Sequence, residues 1–204
     1  MFTFAALTNP KINVIMKKIL LTALFAVFAF TASAQVYVGG SAQFWRNFDA
    51  NKTQVTVAPE VGYVLSSDWA LGISLEYSYQ YRGETAVTYS NKMNAFGVAP
   101  YARYTFANFG NVNLFVDGGF GFMALSSKSN GDTVNGSAWQ VGLKPGVAVN
   151  LTKNLSFVAH VGFVGYTDCN NKYKQLGYDN PFGENGFGCR VDGSNLRFGL
   201  YYNF

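Results

Sequence analysis

The strongest constraint in this chain is an alternation whose two faces are the wrong way round for a water-soluble protein. Successive side chains of a β-strand point to opposite sides of the sheet. On one face lie Leu71, Ile73, Leu75, Tyr77 and Tyr79, then Val55, Val57, Val61, Tyr63 and Leu65, then Trp139, Val141, Leu143, Val147 and Val149. The other face collects glycines (Gly39, Gly62, Gly72, Gly97, Gly119, Gly142, Gly162, Gly199) together with Glu60, Glu76, Arg103, Asp117, Lys144, His160 and Arg197. A soluble barrel turns its large apolar residues inward and its charges outward. Here the charges share a face with the smallest residue. The interior of an eight-stranded barrel is just wide enough for side chains, so glycine and a few long polar groups are what it accepts. The alternation therefore predicts an all-β, eight-stranded antiparallel up-and-down transmembrane barrel with its apolar face turned to lipid.

Eight stretches carry the period of two, near 35–48, 53–66, 69–81, 92–106, 111–125, 137–151, 154–167 and 191–204. Tight turns at 66–68, 107–110 and 152–154 alternate with a short connection at 49–52 and longer loops at 82–91, 126–136 and 168–190. That alternation of lengths suits a barrel with short turns on one side of the membrane and longer loops on the other. Two aromatic girdles are expected. Tyr63, Trp69, Tyr104, Phe106, Tyr202 and Phe204 lie near the short turns; Phe44, Tyr79, Tyr81, Phe96, Phe122 and Trp139 lie near the loops. A block around Val57-Ala58-Pro59-Glu60 recurs loosely at Val98-Ala99-Pro100-Tyr101 and Leu143-Lys144-Pro145-Gly146. Proline removes a ladder hydrogen bond, so bulges are expected at all three prolines.

The two ends carry address signals. Lys17 and Lys18 precede an apolar run from Ile19 to Phe30, and Ala32-Ser33-Ala34 supplies a small-residue exit before Gln35. This is the pattern of a secretory signal peptide over 16–34, with 1–15 as an upstream extension if translation starts at Met16. Residues 35–204 then form the one remaining domain, about 170 residues long. Removing 1–34 takes Lys11, Lys17 and Lys18 and no acid, so 15 basic and 11 acidic residues become 12 and 11. A near-neutral mature chain gives no reason to expect nucleic acid as a partner.

At the other end Arg197, Gly199, Tyr202 and Phe204 resemble the C-terminal insertion signal of bacterial outer-membrane barrels. With the proline hairpins, residues 35–204 resemble the outer-membrane β-barrel domain family common in Bacteroidota, similar in shape to the small OmpX and OmpA barrels. The resemblance implies residence in a Gram-negative outer membrane as a monomer, contact with its lipid, and insertion by the barrel-assembly machinery. It does not choose among the roles such barrels serve, which include adhesins, integrity proteins, small channels and lipid enzymes.

Glu60, Glu76 and Asp117 against Arg103, Lys144 and Arg197, with His160 able to titrate, form a balanced lumen network. Charges in so narrow a space must be paired. They make either a neutralised plug or the lining of a narrow porin-like pathway for ions or small polar solutes. His160 is the one histidine, and His160-Val161-Gly162 lacks the serine two residues on that lipid deacylases carry. No catalytic residue, cofactor or metal site is therefore expected. The leading expectation is a non-enzymatic structural or surface-interaction protein, with a lipid-modifying enzyme as a remote alternative. Cys169 and Cys189 are the two cysteines, and an exported chain makes a disulfide between them the expectation. Closing about 20 residues would stabilise the fold by roughly 3 kcal/mol. The loop so stapled carries Tyr173, Tyr178, Phe182 and Phe187, and reads equally as a recognition surface or as a lid over the barrel mouth.

Overall fold

The computed structural model describes residues 35–84, 90–129, 132–175, 180–191 and 196–204. The proposed leader and signal peptide (1–34), Tyr178, and Asn130-Gly131 of the third loop lie outside them. Six long strands follow one another as β1 (Val36–Asn47), β2 (Lys52–Val64), β3 (Trp69–Arg82), β4 (Asn91–Phe109), β5 (Val112–Ser129) and β6 (Asp132–Asn150). The seventh barrel strand is β7 (Leu155–Val161) continued by β8 (Phe163–Cys169). A short helix, α1 (Asn171–Gln175), precedes the eighth, built from β9 (Gly186–Arg190) and β10 (Leu196–Asn203). Each strand pairs antiparallel with the next, and β10 pairs with both β7 and β1, which closes an eight-stranded barrel.

Burial follows the period of two. Along β3, Ser74, Glu76, Ser78 and Gln80 are buried while Leu71, Ile73, Leu75 and Tyr77 are each more than 40 % exposed. Trp69 to Tyr79 is ten residue steps of β3, roughly 25 Å of membrane normal at the usual tilt of such strands. Exposed aromatics mark both edges. Trp69 packs on Tyr104 and Tyr202 on Phe204 at the turn side, and Phe120, Trp139 and Tyr166 stack in series toward the loop side.

Local chemistry explains the turns. In the first, Ser66 Oγ accepts hydrogen bonds from the amides of Asp68 (3.3 Å) and Trp69 (3.1 Å). Thr152 does the same for Asn154 and Leu155. Gly110, at φ +71°, supplies the left-handed residue of the turn between β4 and β5. A bulge between Thr105 and Ala107 lets β4 run on to Phe109, past the expected strand end at 106.

The prolines divide. At Pro59 and Pro100 no bulge forms: the ladders to β3 and β5 skip Ala58-Pro59 and Ala99-Pro100, and the same register resumes beyond. At Pro145 the expected irregularity sits in the facing strand. Leu143 pairs with Val164 and Gly146 with His160, so two residues of β6 oppose the three from Val161 to Phe163. Gly162 makes the bend at φ +141°, where a Cβ would lie 2.5 Å from the Arg190 carbonyl oxygen.

Apart from 130–131, the 126–136 segment is strand rather than loop. β5 and β6 stay paired out to Ser129 opposite Asp132, because two chains that hydrogen-bond each other need no lipid to remain strands. Above the outer aromatic girdle the faces exchange character: Lys92, Asn94, Lys128, Thr133 and Asn135 are not buried, while Met93, Ala95, Met123, Leu125 and Ala138 are. Outside the bilayer the exterior is water again, and ordinary hydrophobic burial returns.

Candidate functional site: the barrel lumen

All seven expected lumen residues do point inward, and they meet in two layers. In the layer nearer the turns, Arg103 forms a two-pronged pair with Asp117, Nε to Oδ1 at 2.7 Å and Nη2 to Oδ2 at 2.8 Å. His160 Nε2 lies 2.8 Å from Asp117 Oδ2. A carboxylate only accepts, so Nε2 carries the proton. The guanidinium is also ringed by aromatics, with Phe115 at 4.0 Å, Tyr201 at 5.1 Å, Tyr101 at 5.4 Å and Tyr37 at 6.0 Å. Cations over ring faces are attracted by the ring quadrupole.

Glu60 is held in the same layer by hydroxyls rather than by a cation. Tyr101 donates to Oε2 and Tyr201 to Oε1, each at 2.5 Å, and Tyr37 joins through a 2.7 Å bond to Tyr101. Sequence reasoning missed Tyr101 and Tyr201 as Glu60 partners and Tyr37 as their neighbour. Their signal was the glycines across from them. A Cβ on Gly62 would lie 2.1 Å from Tyr37 Cζ, and one on Gly72 2.4 Å from Tyr101 Cζ. The glycine face thus exists to seat large polar rings.

The second layer lies toward the loops. Arg197 Nη1 donates to Glu76 Oε1 at 2.7 Å, and Lys144 Nζ approaches the same oxygen at 3.7 Å. The balance of three acids and three bases is therefore not local. Glu60 and Asp117 outnumber Arg103 below, and Lys144 and Arg197 outnumber Glu76 above. The lumen is divided accordingly into spaces of about 170 Å³ at the turn side, about 50 Å³ between the layers and about 450 Å³ at the loop side.

Over the loop side folds the described part of the 168–190 segment (168–175 and 180–190), and two of its expected surface contacts are corrected. Tyr173 is fully buried, hydrogen-bonded to Ser127, and Phe182 is 6 % exposed in one apolar cluster with Met93, Met123 and Leu125. They are anchors. Phe187 is 80 % exposed, opposite Tyr166 in the strand ladder, and so belongs to the outer wall. Asn170 caps α1 by accepting from the Tyr173 amide at 3.3 Å. Lys174 pairs with Asp168 at 2.5 Å, and that hydrogen-bonded carboxylate holds the ammonium above the usual lysine range.

The expected Cys169–Cys189 disulfide is not formed; both thiols are free. Cys189 stands opposite Val164 in the β8–β9 ladder, five residues from Cys169. An odd separation puts the two side chains on opposite faces of the wall. Five residues of strand is also about 16 Å, against the 7 Å limit between bridged Cα atoms.

The C-terminal signal divides the same way, with Arg197 inward on Glu76 and Tyr202 and Phe204 exposed on the wall. The Phe204 amide donates to the Val36 carbonyl at 3.0 Å, so the last residue helps to close the barrel. Among the described residues no cluster of three or more His, Cys, Asp and Glu side chains is placed to hold a metal.

The family model for the outer membrane protein beta-barrel domain matches residues 19–204. The chain belongs to that family. Membership places this outer-membrane barrel with its exposed apolar band in lipid, the loops on one side and the short turns on the other. No curated protein matches it. Among solved structures it is similar to Neisserial surface protein A (16 % identity, 84 % of this chain and 97 % of that one, TM-score 0.47). It is also similar to the N-terminal barrel domain of OprF from Pseudomonas aeruginosa (16 %, 84 % and 96 %, TM-score 0.45). A third is a major outer membrane protein from Thermus thermophilus (15 %, 84 % and 100 %, TM-score 0.47).

Proposed function

We propose that this barrel is a non-conducting, non-enzymatic protein of the Gram-negative outer membrane that serves as a scaffold and presents a surface to the exterior. The observation that carries this reading is the lower charge layer, in which Arg103 is held by both oxygens of Asp117 within a ring of four aromatic side chains. An ion would have to break a buried pair to pass. The roughly 50 Å³ between the layers leaves room for only a few water molecules. His160 and Asp117 form an acid–base dyad, but no nucleophile is hydrogen-bonded to the histidine among the described residues: Nε2 is on Asp117 and Nδ1 has no partner.

With Tyr173 and Phe182 buried, the contact surface shifts to the outward face of the β4–β6 extension, where Lys92, Asn94, Lys128 and Asn135 are the side chains available to a partner. On this reading the chain is exported with loss of residues 1–34, inserted by the barrel-assembly machinery through its terminal aromatics, and works as a monomer.

Planar-bilayer recording tests the central claim. Protein extracted from the membrane and verified as folded should give no discrete openings. Steady unitary conductance, shifted in ion selectivity by Glu76→Gln, would replace the scaffold with the narrow-channel reading.

A further inference from the structure

Between the upper charge layer and the folded-in loop lies a cavity of about 450 Å³, within the size range of small-molecule sites. Its floor is Gln140, Lys144, His160 and Arg197, and Gln43, Trp45 and Gln54 form one wall. Phe163 and Arg190 form the other wall, and Phe182 and Glu184 the roof.

Two observations point to an occupant. First, Trp45 sits at a lumen-side position of β1, in phase with buried Tyr37, Ser41 and Gln43, yet is 40 % exposed. Its side chain lines the cavity. Second, the floor carries an unbalanced cation. Arg197 takes Glu76 at 2.7 Å, and Lys144, at 3.7 Å from the same oxygen, keeps a quarter of its side chain exposed. His160, 7 % exposed, has no hydrogen-bond partner at Nδ1 among the described residues.

An aromatic face, three amide side chains and a surplus cation are together the groups that bind a polyol ring bearing an anion. We propose that this vestibule binds a phosphorylated saccharide, with the ring on Trp45 and the phosphate on Lys144 beside Arg197. The same chemistry is offered by a free sugar phosphate and by the head group of a phosphorylated glycolipid.

The test uses Trp45 as its own reporter, in protein extracted from the membrane and carrying Trp69→Phe and Trp139→Phe on the outer wall. Glucose 1-phosphate should change the emission saturably; glucose and inorganic phosphate at equal concentration should not. Lys144→Gln should weaken the response at least tenfold. Gln54→Ala, away from the charge layers, should also weaken it should the lysine variant fail to fold. In nanodiscs, loss of the glucose 1-phosphate response on adding a glycolipid with a phosphorylated glucosamine head group identifies the lipid as occupant. A response that persists identifies the free sugar phosphate. No saturable change with either probe, an equal response to inorganic phosphate or to glucose, or full affinity in both variants overturns the proposal.

Discussion

Replacing Asp117 with alanine should be the most damaging single change in the lumen. Arg103 would lose both short hydrogen bonds while staying 9 % exposed, and its remaining polar contact would be the 3.3 Å bond to Tyr201. Removing one partner of a buried pair typically costs about 3–5 kcal/mol, because the other charge is left without compensation. At a urea slope of about 2 kcal/mol/M the unfolding midpoint should fall by roughly 2 M. Asp117→Asn keeps the volume and one acceptor and should lose less, about 1–3 kcal/mol. The double variant Arg103→Met/Asp117→Leu should be more stable than Asp117→Ala alone, since no orphaned charge remains. Urea titration in lipid vesicles, followed by tryptophan emission, measures all three. An Asp117→Ala midpoint within experimental error of the parent, or a double variant weaker than the single, would refute the claim that this pair holds the barrel together.

Three further outcomes follow from other parts of the lumen and its cover. Gly62→Ala places a Cβ on the Tyr37 ring and should cost about 1–3 kcal/mol in the same titration; an unchanged midpoint would mean the ring moves freely. Alkylation in urea without reductant should add two adducts by mass spectrometry, because Cys169 and Cys189 are unpaired; adducts that require prior reduction would restore the disulfide. Tyr173→Ala removes the anchor of α1, so proteinase K applied to intact cells should cut within 168–190 faster than in the parent, whereas an equal rate would leave the segment held by Phe182 and the Asn180 contacts alone.

The two faces of the wall were legible because their period is local: each strand states its own inside and outside. Which inward residues meet was not legible, because the partners lie far apart in sequence and their heights depend on how the strands stagger around the barrel. Arg197 and Glu76 are 121 positions apart, and Tyr201 and Glu60 are 141. The misread 126–136 segment has loop-like composition, rich in Ser, Asn and Gly, yet it keeps a period of two through Leu125 and Ser127, both buried. Composition won the sequence argument there because strand character outside a membrane needs no apolar outer face. The cysteines misled for a related reason. Sequence separation says how large a loop would be closed but not which side of the wall each thiol faces, and that parity appears only once β9 is known to be laddered to β8.

The stagger also decides what the balanced charges can do. Had the three pairs met one to one, the lumen would be neutral at every height and its outer space would have no reason to prefer any ion. Instead Glu60 is satisfied by the Tyr101 and Tyr201 hydroxyls, which leaves the cations to Asp117 and Glu76. Arg103 is consumed by Asp117, and Lys144 and Arg197 share Glu76. Substituting two tyrosine hydroxyls for one cation is thus what frees positive charge at the floor of the outer vestibule. Tyr101→Phe should therefore act at a distance. With one hydrogen bond to Glu60 gone, its carboxylate needs a cation, and Lys144 and Arg197, which line the same 50 Å³ space as Glu60 and are not committed to Asp117, can supply it. The variant should lose only about 1–3 kcal/mol of stability yet weaken the Trp45 response to glucose 1-phosphate. A Tyr101→Phe barrel that binds as tightly as the parent would show that the lower layer does not set the charge of the upper one.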